Sequence, residues 1–62
     1  MKRYRIRRCR GNPDAWCLVA IGRDGQESDA FGSYVTDLSL DSLLANAGHL
    51  KPLPGDHVEL VP

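Results

Sequence analysis

Apolar and polar positions alternate with period two from Tyr4 to Arg10. Tyr4, Ile6, Arg8 and Arg10 fall on one side, and Arg5, Arg7 and Cys9 on the other. This pattern predicts a first strand. Gly11-Asn12-Pro13-Asp14 follows as dense turn chemistry. Trp16 to Gly22 then runs without a polar side chain apart from the Cys17 thiol, the mark of a central strand covered on both faces. Asp24-Gly25 predicts a type I′ hairpin turn, which needs φ > 0 at both central residues. A third strand is expected within Ser28 to Thr36, where Gly32 marks a bulge or bend.

The period then changes to that of a helix. Leu40, Leu43, Leu44 and Ala47 stand at i, i+3, i+4 and i+7, one apolar stripe. Ser39 is placed to cap it, with Asp41 in the positive first turn. Leu38 and Leu43 have the spacing of a hydrophobic staple. Gly48 sits where a left-handed residue ends a helix, and Leu50 can fold back on the last turn. Pro52 and Pro54 make the next segment extended, Pro54-Gly55 predicts a type II turn, and His57 to Val61 reads as the last strand.

The predicted fold is therefore α+β, a small antiparallel sheet in β-β-β-α-β order with one helix across one face, and residues 1–62 form a single domain. Trp16, Leu18, Phe31, Leu40, Leu43 and Leu44 are the expected core. One short helix cannot cover both faces of the apolar second strand. Either the sheet curls into a partly open barrel or a second copy covers the far face as a homodimer. The corner from Leu40 to Val61, about a third of the chain, resembles both swapped-hairpin antitoxin-type DNA-binding domains and small OB barrels. A helix, a Pro-Gly turn and a strand form a generic αβ corner, and no functional residue is carried over from either.

Size limits what such a chain can do. A domain of 62 residues buries about 60% of its unfolded surface, and its core supplies only about 3–5 kcal/mol. Hydrophobic residues at 42% and charged residues at 26% describe a globular chain, which excludes disorder. No apolar run approaches the ~18 residues that span a bilayer, so no membrane role is expected. The basic start is not followed by an apolar leader, which points to a cytoplasmic protein with reduced thiols.

Net charge is zero, but the charge is segregated. Lys2, Arg3, Arg5, Arg7, Arg8 and Arg10 give the first ten residues +6, and the remainder carries −6. Arg3, Arg5, Arg7, Arg8 and Arg10 are the candidate nucleic-acid contacts, because planar guanidinium groups fork onto phosphates and alternate strand residues can follow a backbone. Tyr4 and Trp16 could add base stacking. The competing reading pairs these arginines internally with Glu27, Asp29 and Glu59, and a pI of about 6.7 lacks the basicity of most nucleic-acid modules.

Other chemistry is sparse. A five-residue loop from Gly11 to Ala15 would set Arg10 opposite Trp16 and Cys9 opposite Cys17. That geometry suits either a disulfide or two packed thiols, the latter favoured in a reducing compartment. Cys9, Cys17, His49 and His57 lack the close pairing of a zinc site, so no metal is expected. No phosphate loop, nucleophile motif or carboxylate pair points to an enzyme or a cofactor, and Asp37 and Asp41 read as capping groups. The sequence thus predicts a small non-enzymatic accessory or regulatory protein that binds nucleic acid through its Arg-rich strand. The alternative is a protein-interaction module, such as a small inhibitor or adaptor of the kind phages and mobile elements carry.

Overall fold

In the computed structural model, which describes residues 1–28 and 33–62, strand β1 spans Arg3–Arg8 and β2 spans Trp16–Ala20. β1 ends two residues before the predicted Arg10. The pairing of the two strands sets Arg8 opposite Trp16, Arg7 opposite Cys17 and Tyr4 opposite Ala20. The expected register, with Arg10 facing Trp16, is therefore displaced by two residues. The connecting turn begins earlier than predicted: the Cys9 N–H donates to the Ala15 carbonyl at 2.9 Å, and Ala15 N–H closes onto Asn12 at 3.0 Å. A shift of two preserves every side chain's face, so the alternation read from the sequence survives it.

At Asp24-Gly25 the turn is not the predicted type I′. Gly25 has φ +80 but Asp24 does not, no residue other than glycine among the described residues having positive φ. Asp24 instead accepts the Gln26 N–H on Oδ1 at 3.0 Å, while Gly25 N–H bonds Gly22 O and Gly22 N–H bonds Gln26 O. This is a three-residue loop whose single left-handed position is the glycine. It returns the chain so that Glu27 bridges Ile21. The third strand, β3, is Tyr34–Asp37 and pairs antiparallel with β2. The expected bend at Gly32 and core position of Phe31 lie outside the described residues.

Helix α1 covers Leu40–Ala45. Ser39 caps it as predicted, its hydroxyl accepting the Ser42 N–H at 3.1 Å. The helix ends earlier than its apolar stripe suggested, and Gly48, at φ +61, opens a 3₁₀ turn over Gly48–Leu50. That turn folds Leu50 into the core beside Leu43 and Ala47. Leu38 is exposed, so no staple forms, and Leu44 is 37% exposed rather than central. After six helical residues the stripe is carried on by the 3₁₀ turn, which turns Leu50 inward in place of Leu44. Gly55, at φ +94, occupies the position a type II turn requires, and Asp56 N–H closes that turn onto Leu53.

Strand β4, His57–Leu60, lies beside β1 and gives the sheet order β3-β2-β1-β4. Its direction corrects one expectation: β4 runs parallel to β1, so the sheet is mixed. The reason is topological. The chain leaves β3, crosses the sheet through α1 and re-enters from the same end, and such a crossover produces parallel strands. The fold is the small α+β arrangement predicted, with one helix on one face and a sheet that does not close into a barrel. No helix among the described residues is long and apolar enough to cross a membrane.

The core lies between the sheet and α1. Tyr4, Ile6, Leu18, Leu43, Ala47 and Leu50 form it, with Trp16, Ala20, Val35 and Leu40 partly buried at its margin. Leu18 and Leu43 are fully enclosed, at 0% and 1% exposure. Truncating a buried leucine costs about 2–5 kcal/mol, comparable to everything a core of this size supplies. Leu43→Ala and Leu18→Ala should each abolish the cooperative thermal transition near room temperature, as followed by circular dichroism. The exposed Leu44→Ala should melt within a few degrees of the parent.

Candidate functional site: the arginine face

The opposite face of the sheet has no helix, yet Cys17 and Val19 are buried there at 5% and 3% exposure. The β1–β2 register places Arg7 across from Cys17 and Arg5 across from Val19. Directly opposed residues hold their Cβ atoms about 4.5–5.5 Å apart, so the arginine stems cover these apolar side chains while their charged heads reach outward. The apolar second strand is thus covered within one chain, without barrel closure.

The heads converge on Glu27. Arg7 clasps it with two bonds, Nε to Oε2 and Nη2 to Oε1, both 2.7 Å. Arg5 reaches the same Oε2 through Nη1 at 3.1 Å, and its Nε donates to Glu59 at 2.6 Å. Arg10 comes within 3.6 Å of Glu27 but is 78% exposed. The bidentate Arg7 bond, reinforced by Arg5, holds the Glu27 carboxyl down at about 2 against the opposing effect of burial. Bonding to Arg5 likewise lowers Glu59. Asp56 is lowered by the backbone N–H groups of Leu53 and Lys2, which donate to its two oxygens at 3.0 Å each.

The five arginines read as nucleic-acid contacts are therefore not one stripe. Arg5 and Arg7 are bound to acids. Arg8 lies on the helix face, its guanidinium 3.9 Å from the centre of the Trp16 ring. Arg3 and Arg10 stand exposed at opposite ends of the strand. Internal pairing uses Glu27 and Glu59 as the competing reading required, whereas Asp29 lies outside the described residues. What the sequence could not reveal is that Glu27 would be the hub. Its charge was a signal, but only the three-residue loop at Arg23–Gly25 brings it back over β1.

Cys9 pairs along the backbone with Ala15 rather than Cys17, yet the two free thiols lie side by side as the packed-thiol alternative expected, and burial, with a lesser contribution from Cys9, raises the Cys17 thiol above its ordinary value. They border an open cavity of about 320 Å³ together with Arg7, Arg10, Tyr34 and Thr36. His49 is in the 3₁₀ turn and His57 opens β4. No cluster of three or more metal-binding side chains occurs among the described residues.

Glu27→Gln should destabilise the domain by about 1–3 kcal/mol, the range for a hydrogen bond to a charged group. A domain of this size then melts roughly 4–8 °C lower for each kcal/mol. The pH dependence follows from linkage. Unfolded Glu27 takes a proton near the ordinary value of about 4.3, whereas folded Glu27 stays ionised down to about 2. Its stabilisation is complete above that ordinary value and is lost as pH falls toward 2. Melts between pH 5 and pH 2 should show a steep fall in the wild type and a flatter profile in Glu27→Gln, where Glu59 and Asp56 still contribute. Compared with protein-family models, with curated proteins and with solved structures, the chain matches none.

Proposed function

We propose that this domain is a small non-catalytic protein-interaction module that docks an extended segment of a partner against the β4 edge. One observation carries the reading: the outer edge of β4 is exposed and apolar, and no strand among the described residues pairs with it. His57 N–H and Val61 N–H donate to the Lys2 and Ile6 carbonyls of the inner side at 2.9 and 2.8 Å. Backbone groups alternate in direction along a strand, so Val58 and Leu60 turn their N–H and C=O groups away from the sheet. Their side chains share the core face with Tyr4 and Ile6, opposite which they are registered. Val58 is 38% and Leu60 59% exposed, with Leu53 and Val61 open nearby. An uncovered edge with alternating apolar side chains is a template for one more strand, with backbone bonds giving affinity and side-chain positions giving selectivity.

The nucleic-acid reading has less support. Arg5 and Arg7, the two residues that would have shared a phosphate-facing surface, are already bonded to carboxylates. Releasing them would expose the apolar surface that they cover.

The test uses a blocked peptide of alternating threonine and valine, titrated into the labelled domain and followed by amide shifts. Val58 and its neighbours should move saturably and gain protection from exchange. Leu60→Pro removes an outward N–H without breaking the β1–β4 ladder, as edge positions allow. It should keep the fold and lose the peptide. Shifts centred on β3, or unchanged binding by Leu60→Pro, would sink the edge reading. A fluorescent oligonucleotide at low salt is the parallel arm. Binding that weakens at about −0.9 per phosphate in log K against log salt would restore the nucleic-acid function instead.

A further inference from the structure

Cys9 follows β1 by one residue, and its N–H bond to the Ala15 carbonyl carries the β1–β2 ladder one rung further. It stands two positions from Arg7 and so shares the face of Arg7, the residue opposite Cys17. The two cysteines are therefore diagonal neighbours across the strands, roughly 7–8 Å apart in backbone terms and still within side-chain reach. Their thiols meet, Cys9 lying close enough to bond the Cys17 sulfur and to act on its charge. Both line the open cavity on the arginine face, together with Thr36, the β3 residue opposite Cys17. A solute can thus reach a pair of thiols of which one is buried and the other half-buried.

The diagonal spacing decides what such a pair can hold. A disulfide needs Cα atoms within about 7 Å, so a direct sulfur–sulfur bond here requires the strands to move. An ion bonded at about 2.3 Å to each of two sulfurs spans up to about 4.6 Å between them and removes that demand. Among the described residues no group of three or more histidine, cysteine or carboxylate side chains could hold a metal, so four-coordinate zinc is not served. Two thiolates alone suit a soft ion, copper(I) above all. Charge agrees with this donor set, because two thiolates around one monovalent cation leave a single negative charge. Arg7 acts electrostatically on both cysteines and works against the burial of Cys17, and Arg10 lines the same opening. Glu27 acts on Cys17 in the other direction, but more weakly than Arg7, and its oxygens are already bonded by Arg5 and Arg7.

We propose that Cys9 and Cys17 form a two-coordinate site for copper(I), held between the two sulfurs at this cavity, with Arg7 and Arg10 balancing its charge. Each thiol gives up one proton to solvent, each sulfur bonds the ion, and no electron is transferred. The ligand spacing that argues against zinc is no obstacle, since only two donors are needed and the strand register supplies them. The site lies on the arginine face, away from the β4 edge, and stands or falls independently of the docking reading.

The test is an anaerobic titration of the fully reduced chain with copper(I), supplied as its acetonitrile complex in competition with a chromogenic copper(I) chelator. One ion should bind per chain, with amide shifts centred on Arg7, Cys9, Cys17 and Thr36. X-ray absorption at the copper edge should show two sulfur neighbours and no nitrogen or oxygen. Cys9→Ser removes one ligand from a half-buried position outside the core and should melt near the parent. Its copper affinity should fall about a hundredfold or more, since losing even a supporting partner of a ligand costs about 10–100-fold. Leu60→Pro should bind copper(I) as the wild type does. One ion per two chains, three or more ligands on the metal, zinc(II) held as tightly as copper(I), unchanged affinity in Cys9→Ser, or loss of all the copper to the chelator would each overturn the proposal.

Discussion

Glu27 holds Arg5 and Arg7 flat across the uncovered face of the sheet, and much of the structure depends on that clasp. A sheet of four short strands with a single six-residue helix can seal only one side. The far side of β2 still presents Cys17 and Val19. Aliphatic residues there would have needed a second helix or a second chain. Arginine stems solve the problem because they are long enough to cover neighbours and end in a group that remains hydrated. The heads would repel one another if unpaired. One carboxylate bonded by both, with Glu59 beyond it, converts that repulsion into a network.

This arrangement also separates the molecule's charges by role. The segregated +6 of the first ten residues suggested one binding surface, but folding divides it. Arg5 and Arg7 become structural, Arg8 stacks on Trp16, and Arg3 stands exposed at the start of β1, its charge helping to hold Glu59 ionised. Arg23 was remote in sequence, and the return of the chain after β2 brings it to the same end as Arg3.

The edge strand β4 follows from the crossover. The chain leaves β3, passes over the helix face and re-enters beside β1, at the edge of the sheet away from β3. β4 is therefore the last strand added and is paired on one side only. α1 packs over β2 and β3 and does not extend across it. Val58 and Leu60 remain exposed for that reason, and the same geometry that completes the sheet leaves an apolar edge open.

Local chemistry alone determined the element order, the cap at Ser39, the left-handed glycines Gly48 and Gly55 and the two faces of β1. Each of these rests on interactions within a few residues or on the fixed period of a strand. The sequence also contained both the arginines and the acids that pair with them, but charge acts through space and a linear chain does not give separations. Tertiary structure decided the register of β1 against β2, since a shift of two leaves the hydrophobic pattern unchanged and only the turn's hydrogen bonds select between alternatives. It decided that β4 runs parallel to β1, because strand direction depends on the path of the connection. It decided which arginines are spent on Glu27 and which remain open, because a three-residue loop sets where that one carboxylate lands.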